Sequence, residues 1–394
     1  MDLRFTAAED AFRAEARAWL EAHVPREPLP SGDTREGFAR VREFERALFE
    51  GGWAVVSWPK EYGGREASLV EWLIFEEEYY RAGAPSRVTQ NGIFLLAPTL
   101  FEFGTDEQKA RILRPMAAAE VMWAQAWSEP NAGSDLASLK SRAVAAEGGW
   151  KLTGQKTWCT RGAFCDWIYG LFRTDPAASR HRGLTYFMIP LDAPGVTVRP
   201  VERLDGDEGF AEVFLEDVFV PERDILGEVN QGWSVAMATT SSERGLSLRS
   251  PGRFIATAER LIALWRQRAG HSEKRLRGDE RLRDRVIRAY IDAEAYRLHT
   301  FQTVASLAAG ESIGPESSIN KLFWSEMDVR THETALSLLG PLAELDHGAP
   351  DAVDGGGWLR GYEFALAGPI YAGTNEIQRS IVAQHVLGLP RDRG

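Results

Sequence analysis

The chain has 394 residues, two or three domains at roughly 150 residues each, with 46 Lys+Arg against 57 Asp+Glu and a formal net charge of −11. That acidity excludes a general nucleic-acid binder and leaves no polybasic patch for an anionic membrane. Two cysteines, Cys159 and Cys165, exclude a disulfide framework or a paired zinc motif, and no metal site is expected. The opening MDLRFTAAEDAF is charged where a secretory signal needs an apolar core, and no apolar run approaches the ~18 residues of a membrane span, so a cytoplasmic protein is expected.

Helices come first. Thr6 and Glu9 have capping-box spacing, and Phe12, Ala16, Trp19 and Leu20 then recur on one face. Phe38, Val41, Phe44 and Leu48 keep helical spacing until Gly51-Gly52 stops them. A third helix is predicted over 68–82, where Trp72, Leu73, Phe75 and Tyr79 alternate with acidic residues, and Thr105 with Gln108 caps a fourth over 106–119. After Trp123 the period changes. Segments rich in aromatic and β-branched residues (141–147, 150–158, 167–172, 184–189, 196–201 and 212–220) are broken by Gly, Pro and Asp, with a hairpin signal at Gly148-Gly149. This spacing suits a small antiparallel barrel or sandwich. Strand–helix alternation, GxGxxG and GxxxxGK[ST] are all absent from the sequence, so the usual nucleotide phosphate loops are not used. From Trp233 helices return over 233–269, kinked at Pro251-Gly252, and over 279–309, 315–339 and 375–388, with Gly355-Gly356-Gly357 read as a loop.

Three segments carry a resemblance. Ala126-Trp127-Ser128-Glu129-Pro130-Asn131-Ala132-Gly133-Ser134-Asp135 resembles the [ST]-E-P-x-A-G-S-D signature of acyl-CoA dehydrogenases. Gly154-Gln155-Lys156-Thr157-Trp158-Cys159-Thr160 resembles that family's G-x-K-x-W-[IC]-[ST] strand, and Tyr371-Ala372-Gly373-Thr374-Asn375-Glu376-Ile377-Gln378-Arg379 resembles its Y-x-G-T-x-x-I-Q-R. The resemblance covers essentially the whole chain. It implies an α+β multidomain fold: an N-terminal α-helical domain over 1–120, a middle antiparallel β-barrel over 121–232 and a C-terminal four-helix bundle over 233–394.

It also implies FAD as cofactor, an acyl-CoA thioester as substrate, and α,β-dehydrogenation. A carboxylate takes the α proton while a hydride leaves Cβ for flavin N5. By resemblance, Gln125, Trp127, Ser128 and Ser134 belong to a stretch contacting the flavin, Ser134 also meets the acyl-CoA, Trp158 packs on the isoalloxazine, and Thr160 bonds near N5. Thr374 and Glu376 approach the diphosphate and adenosine portions. Read without the family, a Ser or Thr beside Pro and Gly is a turn former, and a Trp in a strand is core.

Many family members carry the catalytic Glu in the last motif, as Y-E-G-T; here that position is Ala372. A branch including isovaleryl- and long-chain-type enzymes takes its base from an E-R pair on the first C-terminal helix. Glu243-Arg244 stands at the matching place, with Glu376 as a rival, and Arg244 matches the arginine that positions the acyl-CoA. A glutamate of ordinary pKa, ~4.3, is a feeble base, so a dry site must raise it. The Ala372 N–H and the FAD ribityl 2′-hydroxyl would polarise the thioester oxygen. With only a methyl at 372, the resemblance implies a long, branched or polycyclic acyl group.

One departure stands out. The family's R-x-x-F-G contact to a neighbouring subunit's FAD is replaced by Arg268-Ala269-Gly270-His271-Ser272-Glu273-Lys274-Arg275-Leu276-Arg277-Gly278-Asp279, and residues 260–288 hold ten Lys/Arg against four Asp/Glu. The expected assembly is a homotetramer or a two-plus-two heterotetramer with a related subunit, as in dehydrogenases of steroid side-chain thioesters. Electron-transfer flavoprotein is the expected acceptor. An acyl-CoA oxidase or flavin monooxygenase on the same scaffold, and a non-catalytic subunit completing a partner's site, stay open.

Overall fold

A computed structural model describes residues 4–244, 250–270, 279–311 and 314–390; of 241–244, 269 and 270 only the backbone is described. The chain divides into two compact units, each containing more than one stretch of sequence.

The sheet unit takes Ala18–Ser68 and Ala84–Glu243. Its strands are β1 (Trp123–Gln125), β2 (Arg142–Ala146), β3 (Gly149–Lys156), β4 (Trp167–Arg173), β5 (Leu184–Pro190), β6 (Val196–Val201), β7 (Phe210–Pro221) and β8 (Ile225–Leu226). They form one eight-stranded sheet in the order β6-β7-β3-β2-β4-β5-β8, with β1 on β4. Six of these strands lie where alternation predicted them; β1 and β8 are too short to announce themselves. Most pairings are antiparallel, but β1 and β2 each meet β4 in parallel. Leu152, Ile168, Phe172, Phe187, Val213 and Leu215 close a core from which water is almost wholly excluded. Gly154 is required where β3 passes β2, because a Cβ there would stand 2.1 Å from Ser141 Oγ.

Helices α2 (Arg35–Glu50), α4 (Ala97–Phe103) and α5 (Asp106–Ala117) belong to the same unit. Thr34 caps α2, and Thr105 and Gln108 form the predicted reciprocal box on α5. The stretch before α4, a π-helical turn over Asn91–Leu96, was not expected, since Asn-Gly followed by an apolar run reads equally as a strand. The unit ends with α6 (Gly232–Arg244).

The helical unit takes the chain up to Arg17, Leu69–Gly83 and Arg244 onward. It holds most of α1 (Ala7–His23), then α3 (Leu69–Arg81), α7 (Pro251–Gly270), α8 (Glu280–Ala308), α9 (Ser317–Leu339), α10 (Gly357–Ala365) and α11 (Asn375–Ile381), which ends in a π-helical turn over Val382–Val386. The Thr6–Glu9 box forms, with Thr6 N–H on Glu9 Oε2 at 2.7 Å. Instead of one kinked helix over 233–269, α7 starts afresh. Proline lacks an N–H and suits a first turn, and Ser250 Oγ accepts the Gly252 N–H at 3.2 Å. Gly252 lets α7 approach α3, where a Cβ would meet Glu76 C=O at 2.7 Å. On α3, Glu78 is buried rather than solvated, and Arg13, Arg17 and Arg81 receive it. Burial pushes its carboxyl up, but these guanidiniums outweigh it and hold the pKa at about 2. Around α9 lie two apolar clusters, Leu261, Val286 and Leu338 with Trp358, and Phe254, Tyr296 and Met327 with Trp324. The triple glycine is not wholly a loop: Asp354, Gly355 and Gly356 turn at positive φ, and Gly357 opens α10.

Candidate active site

In the sheet unit the first two motifs are joined. Thr157 N–H donates to Ser128 C=O at 2.9 Å, so the S-E-P turn and the end of β3 lie side by side. Beneath them Lys156 is fully buried. Its Nζ donates to Glu129 Oε1 at 2.9 Å and to Leu171 C=O at 2.9 Å, and stands 4.8 Å over the Phe172 ring. Glu129 also accepts the Lys140 N–H at 2.6 Å and the Ser141 N–H at 2.9 Å. Burial raises the Glu129 carboxyl, but Lys156 and these N–H groups prevail and hold its pKa below the ordinary value. One ion pair therefore ties Ser128 to Trp158.

Beyond β3 the backbone alternates. Thr157, Cys159 and Arg161 donate to Ser128, Ala211 and Gly209, whereas the Trp158 and Thr160 N–H groups find no acceptor among the described residues. Trp158 sits at φ 59° and Arg161 at φ 56°, a region that bulky residues rarely adopt. The Trp158 indole is 60% exposed and meets Phe210 edge-on at 5.7 Å. Thr160 is half-buried, its C=O receiving Asn91 Nδ2 at 3.3 Å. Arg161 Nε reaches Asp33 Oδ1 at 2.6 Å, and Arg203 Nη1 reaches Asp33 Oδ2 at 2.5 Å. Burial pushes Asp33 up, yet the two guanidiniums keep it below the usual carboxylate range. Gln125 pairs with Tyr169 and is half-buried, as is Ser128; Ser134 is exposed. Trp127 is buried edge-on against Tyr186 at 5.9 Å, and among the described residues its indole N–H has no acceptor.

In the helical unit, Thr374 caps α11 by accepting the Ile377 N–H at 3.3 Å, and Ala372 is half-buried at φ 55°. Glu376 is exposed, and hydrogen bonds from its own N–H and from Thr374 hold its carboxyl below the ordinary value. The backbone of α6 runs through Glu243 and Arg244, but both side chains lie outside the described residues, as does most of the 268–279 segment.

Models of the acyl-CoA dehydrogenase N-terminal, middle and C-terminal domains match residues 6–120, 124–218 and 230–387. The acyl-CoA dehydrogenase IpdE1 of Mycobacterium tuberculosis is 36% identical over 97% of this chain and 98% of its own. The chain belongs to the acyl-CoA dehydrogenase family. Among solved structures, the Tcur3481-Tcur3483 steroid ACAD superimposes with a TM-score of 0.88 at 30% identity, covering 100% of both chains. The ChsE4-ChsE5 complex from Mycobacterium tuberculosis gives 0.85 at 29% identity, again over 100% of both.

This dehydrogenase is an FAD-dependent oxidoreductase acting on acyl-CoA thioesters. The sheet unit's own residues fit such a cofactor. An exposed indole offers a flat apolar face, and beside it stand unspent N–H groups at 158 and 160 with half-buried hydroxyls at 128 and 160. A planar, hydrogen-bonding ring system matches that set. Among the described residues no group of three His, Cys, Asp or Glu is placed to hold a metal, and no helix is long and apolar enough to cross a membrane.

Lys156 and Glu129 were visible in the motifs without being singled out. Parity was the available signal, because Leu152, Gly154 and Lys156 share one face of β3, and Leu152 is core. Asp33 and Asn91 carried none, lying far from Thr160 in sequence.

Proposed function

We propose that Glu243 is the base that removes the α proton of the acyl-CoA. FAD held by Ser128, Trp158 and Thr160 would supply the hydride acceptor for Cβ. The reading rests on one observation: where many relatives carry their base this chain has Ala372, and the neighbouring carboxylate, Glu376, is exposed and held below its ordinary pKa, the wrong direction for a proton acceptor. Helix α6 supports it. Gly232, Val235, Ala236 and Thr239 form its buried stripe, Thr239 Oγ1 pairing with Thr99 Oγ1 at 2.8 Å. Position 243 follows Thr239 by one helical turn in that register. Desolvation raises a glutamate toward the range a base needs.

Arg244 positions the acyl-CoA, and the Ala372 N–H donates to the thioester oxygen. Ser128, Trp158 and Thr160 hold the flavin, Gln125 and Trp127 flank it, Ser134 faces cofactor and substrate, and Thr374 and Glu376 serve the diphosphate and adenosine portions. The methyl at 372 leaves room for a long, branched or polycyclic acyl group, and a structural neighbour is named as a steroid ACAD. Two neighbours are named for pairs of chains, which favours a two-plus-two heterotetramer over a homotetramer. Electron-transfer flavoprotein is the proposed acceptor and the cytoplasm the proposed compartment. The domains divide at 120/121 and 232/233.

The test is anaerobic titration of the yellow protein with a panel of acyl-CoAs beside Glu243→Gln. The variant is expected to keep its flavin and lose reduction by about 10²–10⁴-fold, the usual weight of a general base. Full bleaching by the variant would assign the base elsewhere.

A further inference from the structure

The turn after Tyr371 contains two successive left-handed residues, Ala372 at φ 55° and Gly373 at φ 79°. Glycine takes that region freely, but alanine brings its Cβ against the carbonyl and needs outside support. Gln378 supplies it. Its side-chain nitrogen donates to Ala372 C=O at 2.9 Å and Gly373 C=O at 3.3 Å, and the residue is wholly buried. Two carbonyls at one end of an amide fix which end is nitrogen. The other end, Oε1, is buried and has no hydrogen-bond partner among the described residues.

Glycine at 373 permits this approach, since a Cβ there would stand 2.6 Å from Gln378 Nε2. The helix carrying Gln378 is itself anchored, because Asn375 Oδ1 accepts Lys321 Nζ at 2.7 Å and Ser325 Oγ at 3.2 Å, and Asn375 N–H donates to Pro369 C=O at 2.8 Å. While both carbonyls of the turn are held, the Ala372 N–H makes no hydrogen bond among the described residues. A strained alanine and an orphaned buried oxygen both cost stability and add no packing. That combination marks a turn kept for what it presents.

We infer that Gln378 is a positioning residue for the dehydrogenation: it locks the Ala372–Gly373 turn left-handed so that the Ala372 N–H stays available to the thioester oxygen. The inference deepens the role proposed above for Ala372 and rests on it. Gln378 acts only through the turn.

The test uses the FAD-loaded enzyme as Gln378→Ala, Ala372→Gly and the double variant, with thermal midpoints recorded for each. Two ligands are compared, an acyl-CoA thioester and the matching thioether, which lacks the carbonyl. Gln378→Ala is expected to slow flavin reduction at saturating thioester about tenfold, part of the loss seen when an oxyanion donor is removed outright. It should weaken thioester binding but leave thioether binding unchanged. In the Ala372→Gly background the same substitution should cost less than about threefold, because glycine keeps positive φ unaided. Equal losses in both backgrounds, or equal weakening of both ligands, would make Gln378 a prop for its helix and overturn the inference. Replacing the alanine at 372 by lactate, an ester in place of the N–H, separates the two failures. If the ester leaves the thioester-to-thioether ratio unchanged, the role of Ala372 itself fails. If the ester shifts the ratio and Gln378→Ala does not, only the role of Gln378 fails.

Discussion

The two units hold their motif segments by different means. In the sheet unit Ser128 and Trp158 rest on charge: the buried Glu129–Lys156 pair and the Asp33–Arg161–Arg203 cluster. In the helical unit the Ala372–Thr374 turn rests mainly on amides, Gln378 on two carbonyls and Asn375 receiving Lys321 and Ser325. A buried ion pair fixes position strongly but fails badly when halved, because the surviving charge is left in a dry site. An amide clamp is weaker and nearly indifferent to pH. The surface that fits the ring system is thus held rigidly, while the turn proposed to meet the thioester is held by a tunable contact.

Halving the ion pair should have the largest effect. Lys156→Met leaves Glu129 with two N–H donors and no cation, a loss of about 3–5 kcal/mol. Denaturant unfolding should show it, and the purified variant should be depleted of flavin. Lys156→Met with Glu129→Gln should be less destabilised than Lys156→Met alone. If the double variant is worse, the pair is not the unit of support and the contrast fails. On the amide side, Asn375→Ala removes acceptors from Lys321 and Ser325 but creates no buried anion. Ser325 Oγ keeps the Leu322 C=O at 3.2 Å, and about 1.5–3 kcal/mol is expected, the weight of a hydrogen bond to a charged group, read as a shifted midpoint at unchanged slope.

Acid separates the supports without mutation. Asp33 and Glu129 have folded pKa values below their unfolded ones, ~3.9 and ~4.3. Their stabilisation is therefore complete above about pH 5 and drains away as pH falls through the folded values. Between about pH 5 and pH 3, pepsin cleavage within 128–161 should rise about tenfold, while cleavage within 370–378 changes less than about twofold. Glu78 in the helical unit also loses support as pH falls toward its folded value of about 2, but among the described residues it ties α3 to Arg13, Arg17 and Arg81 and not to the 372–378 turn. Glu376 shares the lowered direction but is exposed, so its contribution is screened. Parallel cleavage of both segments would erase the distinction.

How much of this was legible in the sequence follows from range. Capping boxes at Thr6–Glu9 and Thr105–Gln108, six strands and the helices of the bundle are written in residues two to four apart, and they were readable. The candidates Ser128, Trp158 and Thr374 were nameable because each lies in a local run. What escaped depends on contacts made across long separations. Asn91 reaches Thr160, Arg161 reaches Asp33, and α3 shares its unit with α7 and α8 while α2 belongs to the other. The buried acids Glu45, Glu76 and Glu78 show the same limit. A carboxylate on a helix reads as solvated face until its partners are known, and the three arginines on Glu78 come from two separate helices. The π-helical turn at Asn91–Leu96 was hidden for another reason, since no residue pattern distinguishes it from a buried strand.

The smallest expected effect lies away from both supports. Thr105 accepts the Gln108 N–H at 3.2 Å, and Gln108 Oε1 accepts the Thr105 N–H at 3.0 Å. Gln108 also sends Nε2 to the Ile225 C=O at 2.6 Å, so the cap is tied to β8 inside the sheet unit. Thr105→Ala removes one of the two reciprocal bonds and should cost about 1 kcal/mol. For a unit of this size that is a fall of about 2–4 °C in thermal midpoint. Because the cap touches neither the ion pair nor the Asp33 cluster, flavin content and absorbance should match the unaltered enzyme. Loss of flavin at so small a destabilisation would mean that the surface proposed to hold the ring responds to general stability rather than to its own buried charges, and the division drawn between the two supports would then have to be abandoned.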